Sequence, residues 1–227
     1  MSKNKLEAVI FDLDGVITDS AEFHYRAWKS LADELGIYFD RDINERLKGV
    51  PRMESLEIIL EKDTTPGRFT DNEKQALADK KNKDYVKLIK TIVPADILPG
   101  ILGLLHELKD KKIKTAIASA SRNAATIIER LEIAHLFDFI ADAGAIKNQK
   151  PAPDVFLVAA ENISVPPVNC VGVEDAGAGI VAVKAAGMLA IGIGKEENLK
   201  GADLVLSSTA ELTLDCIKDV YGNASKI

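Results

Sequence analysis

The run Ala8-Val9-Ile10-Phe11 leads straight into two carboxylates, Asp12 and Asp14, and then into Gly15. Four apolar residues ending this way predict a short buried strand. Positions i and i+2 of a strand project to the same side. Gly15 lets the chain turn away sharply after the second acid. Two carboxylates that close repel each other and lose hydration, at a cost on the order of several kcal/mol unless a cation or proton compensates. A hard cation such as Mg²⁺ is the natural compensation. The segment therefore predicts metal-assisted chemistry, with Asp12 suited to attack phosphorus and form an aspartyl-phosphate. Asp14, two residues on, is placed to give or take the proton. A calcium loop fails on spacing: its sixth position needs Gly and holds Ile17, and its twelfth needs Glu and holds Phe23.

Beyond this point the chain divides by pattern. Ser20 to Gly36 reads as a helix, with Ala21, Trp28, Leu31 and Leu35 at helical spacing. Segments 42–48, 52–62 and 71–90 also read as helical, and no strand interrupts them. From Pro99 onward strands and helices alternate. Strands are expected over 113–118, 137–142, 168–173, 189–193 and 203–206. Helices are expected over 99–111, 122–132, 152–162, 179–186 and 209–220. Such alternation indicates α/β architecture, a doubly wound parallel sheet of Rossmann-like type. The helical block interrupts it just after the first strand. The expected division is an α/β core of residues 1–17 and 93–227 with an inserted all-helical cap domain of 18–92, hinged near 16–20 and 88–94.

Three further segments fall where apolar strands end, which is where open α/β sheets collect ligands. In Ser119-Ala120-Ser121-Arg122-Asn123, small hydroxyl residues join a strand to a helix whose N–H groups suit phosphate; the plainer role for Ser121 is a helix cap. Lys150 precedes Pro151 and Pro153, which stiffen the entry to a helix. Held there, it could neutralise both Asp12 and a phosphoryl group, although a lone lysine is ordinarily a surface charge. Glu174 and Asp175 follow an apolar run and suit Mg²⁺, and they also complement the N-terminus of the next helix. The cluster Lys80-Lys81-Asn82-Lys83 reads as a solvated helix face, the alternative being Lys81 at the mouth of the site. Trp28 reads as cap core ahead of substrate contact. His24 stands equally as a site residue or a surface histidine. Other phosphate loops are incomplete: Gly192-Ile193-Gly194 continues to Glu197, and no P-loop pattern occurs.

Composition narrows the partners. The chain has 227 residues, 47% hydrophobic, with a net charge of −6 and no basic block, which argues against nucleic acid. Cys170 and Cys216 form no metal or disulfide framework, and Cys170 is expected in the core. Met1 to Lys5 shows no signal-peptide pattern, and no uncharged apolar run approaches the roughly 20 residues of a membrane span. A soluble cytoplasmic protein, off the membrane, is expected. No exposed heptad or apolar stripe calls for a partner, so a monomer is expected.

The four segments, in this order, resemble the haloacid dehalogenase-like superfamily of phosphotransferases, and the insertion resembles its helical-cap branch. The resemblance spans essentially the whole length. Within the branch, the residues Phe11 to Asp19, His24 with Trp28, Leu47 to Arg52, Ala118 to Asn123, Lys150 to Asp154 and Glu174-Asp175 are similar to those of sugar-phosphate mutases. The resemblance implies Asp12 as nucleophile, Asp14 as general acid/base, and Ser119 and Lys150 as ligands of the transferring phosphoryl group. It implies Mg²⁺ held by Asp12, the carbonyl of Asp14, Glu174 and Asp175. The substrate would be a small sugar phosphate. Its contacts would come from Asp14, His24, Trp28, Lys48, Gly49, Val50, Arg52, Ser55 and Lys81, together with Ser119, Ala120, Ser121, Arg122, Asn123 and Lys150. The implied reaction interconverts β-glucose 1-phosphate and glucose 6-phosphate through an aspartyl-phosphate and the 1,6-bisphosphate. The alternative is a sugar-phosphate or phosphoglycolate phosphatase using the same Asp12; a non-catalytic sensor is disfavoured because the catalytic groups are all present. Small departures from the pattern are Ser20, expected to keep a hydroxyl cap on the first helix, Arg122 in place of Lys, and Pro51, which stiffens the loop before Arg52.

Overall fold

The computed structural model describes residues 5–65 and 67–224. Its frame is a six-stranded sheet, every pairing parallel, in the order β3-β2-β1-β4-β5-β6. The strands are β1 (Ala8–Phe11), β2 (Lys114–Ile117), β3 (Phe139–Ile140), β4 (Cys170–Glu174), β5 (Leu189–Ile193) and β6 (Leu204–Leu206). β1 lies between β2 and β4, with Ala8 opposite both Lys114 and Cys170. Every residue of β1 is buried, as a strand covered on both faces must be.

Alternation along β1 divides the core. Val9 and Phe11 face one apolar cluster, with Leu104, Leu105 and Leu108 of α5 (Ile101–Asp110), Ile127 and Ile128 of α6 (Ala124–Arg130), and Leu214 and Ile217 of α9 (Leu214–Ala224). Ala8 and Ile10 face the other, with Val155, Phe156 and Ala159 of α7 (Asp154–Asn162) and Ile180 and Val183 of α8 (Gly177–Ala185). The doubly wound expectation is thus met.

The remaining helices are α1 (Ser20–Leu35), α2 (Arg41–Glu45), α3 (Arg52–Leu60) and α4 (Asp71–Ile89). They enclose a third cluster of their own, including Trp28, Leu31, Ile43, Leu56, Ile59 and Ala78. α1 and α4 also feed the sheet side, through Ala27, Tyr85 and Ile89. The two chain crossings are tied together: Thr18 Oγ1 donates to the carbonyl of Asp96 at 2.8 Å, and Leu98 N donates to the carbonyl of Ile17 at 2.9 Å.

Several boundaries differ from expectation. α6 begins at Ala124, because Ser121 to Asn123 form a turn closed by the Ser121 hydroxyl, which accepts from Asn123 N at 3.2 Å. The expected helix 209–220 is a 3₁₀ turn, Thr209–Glu211, followed by α9 from Leu214. Ser20 does not cap α1. It is the helix's first residue, fully buried, and its hydroxyl turns back to donate to the Asp14 carboxylate. Cys170 is buried as expected. Among the described residues no helix is long and apolar enough to cross a membrane.

Candidate active site

The sheet order reverses at β1, so the loops after β1, β2 and β4 open around one crevice at the carboxyl ends of the strands. Asp12 sits at the end of β1, 6% exposed, its backbone N–H donating to the carbonyl of Val173 at 2.9 Å. Glu174 ends β4 beside it. Behind both lies Lys150, 4% exposed, with Nζ 2.7 Å from Asp12 Oδ1 and in contact with Glu174 Oε1. The plain surface-charge role for Lys150 is thereby excluded. Burial works against its charge, but Asp12 and Glu174 outweigh burial and hold its pKa above the ordinary lysine value.

Carboxylate oxygens of Asp12, Glu174 and Asp175 converge within 4.8 Å of one another. Burial pushes Glu174 up to about 8; Lys150 opposes, and the charges of Asp12 and Asp175 add to the rise. Burial likewise pushes Asp175 up to about 7, opposed by Lys48. Gly15 and Gly179 leave room for these acids: a Cβ on either would collide with the carboxylate of Asp175 or of Glu174 respectively. One buried ammonium faces three converging acids. The charge left over and an all-oxygen donor set fit a hard divalent cation.

Asp14 is placed apart from this cluster. Burial, then the charge of Asp12, push its pKa up to about 6; the Ser20 hydroxyl, Lys150 and Lys81 pull it back. Ser119 is fully buried at the end of β2, where its hydroxyl accepts from Ser121 N at 3.0 Å.

Above the acids lies a cavity of about 360 Å³, within the range of small-ligand sites. The structure brings Asp12, Asp14, His24, Trp28, Lys48, Gly49, Val50, Arg52, Ser55, Lys81, Ala120, Ser121, Arg122, Asn123 and Asp175 onto its wall. Ser119, Lys150 and Glu174 are not on that wall. Trp28 is core as expected, 3% exposed within the helical cluster, and it also lines the cavity.

The solvated-face expectation for 80–83 fails at two positions. Lys80 does reach outward, to Glu34. Lys81 is 2% exposed, its Nζ 2.7 Å from Nδ1 of His24 and 4.6 and 4.8 Å from the ring centroids of Trp28 and Tyr85. Burial and the nearby Arg52 lower its pKa to about 7, with Asp14 opposing. Burial, Lys81 and Arg52 keep His24 well below the ordinary histidine value, so its imidazole is neutral. Asn82 also faces inward, accepting from Arg52 Nη2 at 2.8 Å and from Asn123 Nδ2 at 3.3 Å. It thereby joins α4 to the loop after β2.

Sequence reasoning passed over Asn82, Tyr85 and the Ser20–Asp14 bond. A signal for the first two existed: Ala78, Lys81, Tyr85 and Ile89 are the buried residues of α4, spaced as one helical stripe, with Asn82 one position from it. A lysine on an apolar stripe marks an inward charge.

Comparison with known proteins agrees with this geometry. The family model described as haloacid dehalogenase-like hydrolase matches residues 6–187. The chain is 50% identical over 216 residues to the β-phosphoglucomutase of Bacillus subtilis, covering 95% of this chain and 96% of that one. It is 32% identical over 189 residues to a phosphorylated carbohydrates phosphatase of Thermotoga maritima, covering 81% and 82%. Among solved structures, a β-phosphoglucomutase from Clostridium difficile superposes with a TM-score of 0.93 at 49% identity, covering 98% of this chain and all of that one. Strand order, acid cluster and matched sequence concur: the chain belongs to the haloacid dehalogenase-like hydrolase family.

Proposed function

We propose that this chain is a β-phosphoglucomutase, interconverting β-glucose 1-phosphate and glucose 6-phosphate. The observation that carries this is one cavity joining Asp12 and Asp14 to the Arg52 and Arg122 guanidiniums. A sugar gripped by its phosphate at the arginines presents its far end to Asp12. The match to β-phosphoglucomutases over nearly the full length of each chain supports the same reading.

In this mechanism Asp12 is the nucleophile and carries the phosphoryl group as an aspartyl-phosphate. Lys150, already on Asp12 at 2.7 Å, is placed beside the attacking oxygen and, with the Ser119 hydroxyl, receives the phosphoryl oxygens. Asp14, with its pKa near 6, takes the proton of the sugar 6-hydroxyl as that oxygen bonds to phosphorus. The Asp12–phosphorus bond breaks and leaves the carboxylate and the 1,6-bisphosphate. After the bisphosphate turns over, Asp12 attacks its 1-phosphate, Asp14 returns the proton to the leaving 1-oxygen, and glucose 6-phosphate departs. The Arg52–Asn82–Asn123 bridge and Arg122 hold whichever phosphate is not reacting, so its binding energy helps close the site. Asp12, Glu174, Asp175 and the carbonyl of Asp14 would hold Mg²⁺, which would supply positive charge for the phosphoryl oxygens.

Residues 18–92 act as a cap over a core of 1–17 and 93–227 (1–4, 66 and 225–227 of these spans lie outside the described residues) and shield the aspartyl-phosphate from water while sugars exchange. In this reading the enzyme works in the cytoplasm as a monomer.

Phosphorus NMR tests the proposal. With Mg²⁺, β-glucose 1-phosphate and a trace of the 1,6-bisphosphate, the expected product is glucose 6-phosphate without stoichiometric inorganic phosphate. Release of phosphate instead would identify a phosphatase and overturn the mutase assignment.

A further inference from the structure

One cation of the helical block reaches into the acid cluster without a part in the chemistry above. Lys48 lies in the turn between α2 and α3, its side chain 30% exposed, with Nζ 3.4 Å from Asp175 Oδ2 and 3.3 Å from Glu45 Oε2. Burial disfavours its charge, but Asp175 and Glu45 outweigh burial. The next residue, Gly49, has φ of 70° and sets its backbone against the start of α8. A Cβ at Gly49 would stand 3.5 and 3.8 Å from the Cβ atoms of Ala176 and Ala178. The turn is thus held on the 175–178 segment twice, by an ion pair and by packing. Its anchor, Asp175, is also one of the three converging acids. An ammonium and a dication on one carboxylate repel each other, whichever oxygen each holds.

We propose that Lys48 competes with the divalent cation for Asp175, so that metal binding releases the turn 46–50 from the acid cluster and the bare cluster holds it down. Glu45 is the alternative acceptor that receives the ammonium on release. Because Gly49 and Val50 line the cavity, metal occupancy then changes the mobility of a substrate-facing turn. This inference rests on the metal reading of the acid cluster.

The test is a calorimetric titration of the full chain with MgCl₂ in the absence of substrate. Lys48→Met is expected to bind Mg²⁺ about fivefold more tightly, the size of a partly exposed ion pair. Glu45→Gln, which leaves Lys48 to Asp175 alone, is expected to bind it about twofold more weakly. Unchanged or weaker binding by Lys48→Met overturns the proposal. Should that variant fail to fold, unchanged or tighter binding by Glu45→Gln overturns it. Asp175→Asn separates the two readings: wild-type affinity there removes the metal assignment itself, and this proposal with it.

Discussion

The Nζ of Lys81 lies 2.7 Å from the Nδ1 of His24, and among the described residues neither nitrogen has a carboxylate at ion-pair distance. Two bases share one hydrogen bond against the rings of Trp28 and Tyr85, His24 stacking on Tyr85 at 3.9 Å. Such a pair is costly in the free protein and is relieved when an anion arrives. Nitrogen-15 NMR of labelled lysines should show one amine titrating at about pH 7 and moving upward when a sugar phosphate binds. An ordinary lysine titration at this position would remove the argument.

Lys150 is the only cation at ion-pair distance from Asp12 or Glu174 among the described residues. Lys150→Met strands two buried carboxylates. In metal-free urea unfolding at pH 8 it should cost about 3–5 kcal/mol. At pH 5 the cost should shrink, since Glu174, with its pKa near 8, is then protonated. Asp12→Asn leaves Lys150 paired with Glu174, so the fold should hold while turnover falls by about 10⁴-fold or more. Retained turnover would displace Asp12 as nucleophile.

Arg52 holds Asn82 at one end of the cavity, remote in role from the reacting phosphoryl group. Arg52→Ala should lower kcat/KM for β-glucose 1-phosphate by about 100-fold, the value of a charge-assisted phosphate contact. Hydrolysis of a small aryl phosphate, which has no second phosphate to hold, should change little. Equal losses on both substrates would contradict a distal-phosphate role.

Asp14, Glu174 and Asp175 keep their protons to about pH 6, 8 and 7 in the folded chain, whereas unfolded carboxyls lose theirs at about pH 4. From about pH 4 to 7 the folded state therefore binds more protons, and metal-free stability should fall as pH rises. The contribution is whole below about pH 4 and is lost through the folded pKa values. Lys81 acts in the opposite direction only above about pH 7. Mg²⁺ requires the deprotonated acids, so its effect on Tm should grow from pH 5 to pH 8. A magnesium shift independent of pH in calorimetric scans would refute this.

The hydroxyl of Ser20 donates to Asp14 and lowers its pKa against burial. Ser20→Ala should raise the Asp14 pKa above about 6 and carry the acid limb of the pH–rate profile upward with it. An unmoved limb would dissociate Ser20 from the proton transfer.

The carboxylates at 12, 14, 174 and 175, the serine at 119 and the lysine at 150 were legible because each follows an apolar strand or leads into a stiffened turn. Strand periodicity and sheet topology alone bring such positions to one crevice. The same local logic carried the doubly wound sheet and the long helices. It failed where a residue's fate depends on how one helix is rotated against another body. Of the four neighbours 80–83, only the packing of α4 against α1 turns Lys81 and Asn82 inward and Lys80 out. Only the seating of the 46–50 turn on the start of α8 puts Lys48 on Asp175. Only the crossing at Thr18 and Asp96 folds Ser20 back onto Asp14. Local sequence sets which groups a chain can offer and the period at which they recur. The rotation and seating of packed elements are set by contacts summed over distant residues, and that sum decided which charges meet.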